Sequence, residues 1–296
     1  MPRLGILQWA KWGLTAPATV GFGILPGAEC FEDPDVRIRT GGGGLLAAKG
    51  GLWAGGVSAA YYVSGTNESL AATAFRASYP RGALTPVCIS VGDEAAGKQF
   101  SSCYTSGLTC AWRASSDEGG GGPLVAKQTF RALWVDDVAG SAMIAEPNLD
   151  FEDYECVVTL PLGLGGKAEA KASSVVIEVA NVVVGYQSGD TKATGYERFP
   201  ETLLVGQEMV RVRVRALERL AEMGTTVRAA VMDLQQSVGL VFTNSAGNAL
   251  SLSLGSMVCT ADGNEVVGSN KMVEYEYGFG MAQAAVGTLS WLYTAA

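Results

Sequence analysis

The chain contains no histidine. That absence excludes Ser-His-Asp and Cys-His catalysis, imidazole acid–base chemistry and every His-ligated metal site. Charge is scarce as well. Only 17% of the 296 residues are Asp, Glu, Lys or Arg, below the usual quarter, against 48% hydrophobic. So small a charged fraction implies outer faces that are covered by partners. The charges present lean acidic, with a net of -8. An acidic chain gains nothing from counterion release on phosphates, so ordinary nucleic-acid binding is disfavoured.

Other absences narrow the field further. The six cysteines, Cys30, Cys88, Cys103, Cys110, Cys156 and Cys259, form no CxxC pair. They read as free buried thiols acting as small hydrophobes. No uninterrupted apolar run reaches the ~20 residues of a membrane helix, so no membrane partner is expected. Met1 to Ala18 carries Arg3, an apolar stretch and Ala16-Pro17-Ala18, but Gln8 and Lys11 break the stretch. No cleaved leader is expected, and folding is expected in a cytoplasm. Phosphate-binding loops fail on spacing. Gly166-Lys167 is followed by Ala168, and the first glycine of a Walker pattern falls on Pro161. After Gly21-Phe22-Gly23 the next glycine is Gly27, one residue late for a dinucleotide fingerprint, and no GxSxG elbow occurs. No catalytic residue, cofactor site or metal site is expected.

Two acidic clusters are present, Glu32-Asp33-Pro34-Asp35 and Asp150 to Glu155. Neither has the order of an EF-hand loop. They read as solvated loops, with a hard-cation site and a paired-carboxylate site as rival readings. Glycine runs at Gly41 to Gly44 and Gly119 to Gly122 read as loops, because glycine loses much backbone entropy on ordering.

The strongest positive signal is alternation. Val210, Val212 and Val214 interleave with Arg211, Arg213 and Arg215, a period-two pattern that predicts a half-buried antiparallel strand. Further strands are predicted at 175–186, 239–243, 249–260 and 272–279, and in the first half at 52–63, 85–91, 100–113 and 124–134. Asn67 is placed to cap a helix running to about Tyr79, and Thr225 or Thr226 a second running to about Gln235. Each predicted helix is followed by a short apolar strand, a turn, a longer strand and an aromatic-rich strand. Gly107-Leu108-Thr109-Cys110 and Ser256-Met257-Val258-Cys259 fall at similar places in the two halves. A tandem duplication is therefore expected, with domains at 1–140 and 141–296 and a linker near Asp136 to Asn148.

Three segments carry a family resemblance: LGILQWAKWGLTAPATVGFGILPGAECFEDPDVRIRT near the start, SSVVIEVANVVVGYQSGDTKATGYERFPETLLVG in the middle, and VGLVFTNSAGNALSLSLGSMVCTADGNEVVGSNKMVEYEYGFG near the end. With the repeated element order, they resemble the tail-tube proteins of siphoviruses, long-tailed bacteriophages. The resemblance implies a mainly β fold of two tandem tail-tube-like β-sandwich or barrel domains, each with one flanking helix. It implies homotrimeric rings of pseudo-sixfold symmetry, stacked into a tube in the virion, through which phage DNA passes without specific binding. Tape-measure, terminator and baseplate or tip proteins would be the other partners. Two irregular stretches, Thr40 to Gly51 and Gln187 to Thr202, are the candidate ring-stacking loops, with Thr40, Gly42, Gly44, Gln187, Asp190, Lys192, Tyr196 and Phe199 as their contact residues. Arg211, Arg213 and Arg215 form a candidate inter-subunit charge stripe, with a nucleic-acid patch as its rival reading. Competing with the tube are another virion β-protein (terminator, decoration or fibre module) and a carbohydrate-binding module using Trp53, Trp112, Trp134 and Trp291.

Overall fold

The computed structural model describes residues 9–25, 28–41, 44–65, 67–76, 78–79, 82–115, 121–141, 153–159, 169–186, 199–216, 236–267, 273–281 and 287–296. Among them the chain is mainly β, and the pairings are antiparallel. The strands of the first half are β1 (Trp9–Gly13), β2 (Val20–Gly21), β3 (Glu29–Gly41), β4 (Gly44–Tyr62), β5 (Ser78–Tyr79), β6 (Val87–Gly92), β7 (Ala96–Arg113), β8 (Gly122–Ala132) and β9 (Trp134–Ala139). Those of the second are β10 (Asp153–Thr159), β11 (Glu169–Tyr186), β12 (Thr202–Ala216), β13 (Gln236–Asn244), β14 (Ala249–Val267), β15 (Val273–Met281) and β16 (Gly287–Thr294). One helix is described, α1 (Glu68–Ala72).

Eight strands close a barrel in the order β7, β11, β12, β15, β14, β13, β10, β8 and back to β7. The rest flank it: β6, β1 and β2 extend from β7, β4 and β3 extend from β8, β9 lies on β7, and β16 lies on β14. Short β10 joins the wall to three neighbours. It pairs along its length with β13, through Asp153 and Tyr154 with β8, and through Val157 to Thr159 with β11.

Alternation explains what the barrel holds. Val210, Val212 and Val214 are fully buried, while Arg211 and Arg213 face outward. Ile177, Cys110, Ala126, Phe279, Tyr277, Leu252 and Phe242 join the same core. Aromatic edges lock the layers, with Phe242 meeting both Trp112 and Tyr154 edge-on. The indole N–H of Trp112 donates to the carbonyls of Gly122 and Tyr154, at 3.0 and 2.9 Å.

The pairing order of the first half recurs in the second. The path β3–β4–β8–β7–β6–β1 corresponds, strand for strand, to β11–β12–β15–β14–β13–β10. Irregularities in register recur with it. On β6–β7 the register jumps from Val87↔Cys103 to Ile89↔Phe100, and on β13–β14 from Gln236↔Met257 to Val238↔Leu254. On β7–β8 it jumps from Thr105↔Phe130 to Gly107↔Thr129, and on β14–β15 from Cys259↔Phe279 to Ala261↔Gly278. On β3–β4 it jumps from Pro34↔Trp53 to Val36↔Gly50, and on β11–β12 from Asn181↔Glu208 to Val183↔Val205.

Several expectations need correction. The first helix stops at Ala72 instead of reaching Tyr79, and Ser78–Tyr79 is strand. Asn67 sits at the helix start but makes no capping bond. Its side chain instead accepts from the Ser64 N–H and donates to the Tyr62 carbonyl, which fixes the turn out of β4. The second predicted helix lies outside the described residues. The supposed glycine loop from Thr40 to Gly51 is the tip of a long β3–β4 hairpin, with Gly41 opposite Gly44. Residues Glu32 to Asp35 are strand, not loop, and so are Asp153 to Glu155, whereas 150–152 lie outside the described residues. The expected linker begins as strand β9, and the rest of it, from 142 on, is also outside them.

Candidate assembly surfaces

The arginine stripe is placed by β12, whose register sets each guanidinium beside a neighbouring strand. Arg211 faces Glu178 on β11 and Gly280 on β15, and Arg215 faces Glu276 on β15. Arg213 bridges Glu178 at 3.1 Å, and Arg215 bridges Glu276 at 2.9 Å and Glu274 at 3.7 Å. Two of the three arginines are thus bound to carboxylates of their own chain. A stripe so compensated presents much less positive potential than its sequence suggests.

The candidate stacking residues divide sharply. Thr40 is strand and faces Leu45, and Gly44 opens β4. Phe199 is partly buried just ahead of buried Pro200, and the Glu201 N–H donates to the Tyr186 carbonyl at 2.9 Å, closing the base of the β11–β12 hairpin. Gly42, Gln187, Asp190, Lys192 and Tyr196 lie outside the described residues.

The same hairpin carries a surface that sequence reasoning passed over. Val182, Val184 and Tyr186 on β11 and Leu204 on β12 are each about half exposed, at 53%, 53%, 49% and 53%. Val184 and Leu204 face each other directly. Val183, between them, is buried, so this arm is apolar on both faces. The signal was legible: Val182-Val183-Val184 does not alternate with polar residues, as a half-solvated strand would.

The remaining chemistry-bearing groups are buried or dispersed. Cys88, Cys103, Cys110, Cys156 and Cys259 are buried and Cys30 is exposed. Burial pushes the thiols of Cys88, Cys103, Cys110 and Cys156 up, away from the reactive thiolate. Among the described residues no three His, Cys, Asp or Glu side chains gather as a metal-binding set. Of the six tryptophans, the candidate platform residues Trp53, Trp112, Trp134 and Trp291 lie on four different strands, β4, β7, β9 and β16, and Trp112 is buried with its N–H bonded. The chain matches no protein-family model and no curated protein sequence.

Proposed function

We propose that the chain is a structural, non-enzymatic subunit of a phage tail tube, built by tandem duplication of one tail-tube-like β-domain. The observation that carries this reading is the twice-used pairing order with matching register jumps on three strand pairs. One bulge shared between the halves needs no common origin. Three at corresponding positions are more simply explained by descent from one ancestral domain, because bulges are kept as built features.

In this reading 1–140 and 141–296 are the two copies, and three chains supply six domains to a ring in the virion. Rings stack head to tail through a heterologous contact, which does not close on itself and so extends a filament. Phage DNA passes through the channel without specific binding, helped by the net charge of -8, since like charges repel. The compensated arginines fit this role, because they offer few unpaired cations to phosphates. The tube would hold no cofactor and would contact tape-measure, terminator and tip proteins.

Negative-stain electron microscopy of the purified chain tests the proposal. Hollow filaments of uniform diameter are expected. A chain that stays monomeric at high concentration, with neither rings nor tubes, overturns it.

A further inference from the structure

We propose that β14 of one chain pairs antiparallel with β3 of a second copy, with Glu265 opposite Cys30. The inference rests on the duplication proposed above, and it names the residues that would join the copies.

The two halves share the six-strand pairing path described above and part company where β7 meets β11. Strand β7 is paired with β6 over Gly97 to Cys103, and along the same edge with β11 over Gly107 to Arg113. Its counterpart β14 is paired with β13 over Ala249 to Met257. Beyond that point its edge has no partner strand among the described residues. The counterpart of β11 is β3, which pairs with β4 and terminates the sheet among the described strands. These two open edges are the equivalents of the two that are joined inside the chain as β7 and β11. Open edges invite pairing with another chain, and these two are each other's internal equivalents.

The register follows from shared partners. Val57 faces both Cys30 and Phe130, just as Val212 faces both Ile177 and Phe279. Cys30 thus stands where Ile177 stands. Cys110 faces Ala126 on β8, and Glu265 faces Tyr275 on β15 at the matching position, past a bulge between Ala261 and Asn264 that β7 lacks. Inside the chain Cys110 faces Ile177, so between chains Glu265 faces Cys30. Burial agrees with this. Cys110 and Ile177 are fully buried, whereas Glu265 and Cys30 are exposed in the single chain, where no further strand pairs with either edge among the described residues. A charged side chain on an open edge is a known guard against indiscriminate pairing, so Glu265 would keep the free subunit soluble. Repeating the β7–β11 relation from chain to chain gives a head-to-tail array that closes into a ring if the rotation allows.

The test is a single substitution, Glu265→Cys, in the full chain, oxidised with diamide at high protein concentration. Covalent multimers are expected on a non-reducing gel, abolished by adding Cys30→Ser, with the linked peptides identified by mass spectrometry. Should Glu265→Cys melt abnormally, the pair Glu29→Cys and Val266→Cys in a Cys30→Ser background probes the adjacent register position. Tubes that assemble normally without a link at either site would overturn the seam and leave the tail-tube reading intact. Monomer alone after oxidation overturns the seam too. Linked rings that never stack would support the seam and count against a tube.

Discussion

Ser102 on β7 and Ser256 on β14 hold the same left-handed backbone, with φ of 49° and 55°, at the same bulge in the two halves. Left-handed φ is uncommon for a residue with a Cβ and costs roughly 1–2 kcal/mol relative to the ordinary region. Both halves keep the cost and both keep serine. The bulge turns the strand so that its first part pairs with one set of neighbours and its second part with another.

Substitution there should act in parallel. Ser102→Val and Ser256→Val are each expected to destabilise the chain by about 1–2 kcal/mol, since a β-branched residue tolerates this backbone poorly. Glycine at either site should be neutral or stabilising by up to about 1 kcal/mol. Urea denaturation measures both. Equal tolerance of valine and glycine at one serine would mean that its backbone is not constrained as described.

A buried polar network under α1 gives the second prediction. Gln128 accepts a hydrogen bond from the Tyr61 hydroxyl and donates to the Leu70 carbonyl at 3.1 Å and the Thr105 hydroxyl at 2.8 Å. Replacing it with leucine strands several buried polar groups, each costing roughly 1–3 kcal/mol. Gln128→Leu should therefore lose about 2–4 kcal/mol or more, and Tyr61→Phe about 1 kcal/mol. A Gln128→Leu chain as stable as the parent would refute the network's role.

Ionisation supplies the third. With no histidine, stability should be nearly flat from about pH 6 to 8. Burial raises the thiols named above and the Tyr61 hydroxyl, whose rise is reinforced by nearby Cys110. Groups raised on folding keep their protons in the native state. Their contribution is complete below the unfolded thiol value of about 8.5 and is lost as pH climbs past it. Thermal melts should thus fall steadily above about pH 9, and native alkylation at pH 8 should label Cys30 first. A melting temperature that rises with alkaline pH would contradict this sign.

The fourth concerns stacking, and belongs to the tail-tube proposal. Deleting Ser188 to Gly195 beyond the β11–β12 hairpin should leave the subunit folded by circular dichroism while shortening or abolishing tubes. Its apolar arm would contribute too. Val184→Asp with Leu204→Asp should impair assembly more than stability, because both side chains are half exposed in the single chain. Tubes of normal length and growth rate from both variants would exclude this hairpin as the stacking element.

Alternation made much of the barrel legible. Val210 to Arg215 reads correctly as an inward valine row and an outward arginine row because one face is dry and the other wet. Strand β10 was hidden by its outer face. Tyr154, Cys156 and Val158 point into the core, but Asp153 and Glu155 between them look like loop acids. Glycine misled at Gly44 and Gly50, which read as loop yet pair with β3. Gly56, inside a stretch read as strand, serves close approach, because a Cβ there would strike the Phe130 carbonyl and the Phe31 ring. Under the duplication proposed above, the pairings match the halves differently from the likeness of Gly107–Cys110 to Ser256–Cys259. By pairing, Ser256 and Met257 correspond to Ser102 and Cys103. The open strand edges stayed hidden, since an edge strand and a central strand can carry the same residues.

Trp112 has one N–H and shares it between two carbonyls, Gly122 before the midpoint of the chain and Tyr154 after it. Around that indole, β7 runs beside β11 and β8 meets β10, so the two halves own one wall in common. Neither half can therefore shed the other and remain finished. A severed first half would end on a raw ladder, and so would the second, each being the mould in which the other sets. The whole chain should melt in one step, and fragments 1–140 and 141–296, made together, should find each other and rebuild it.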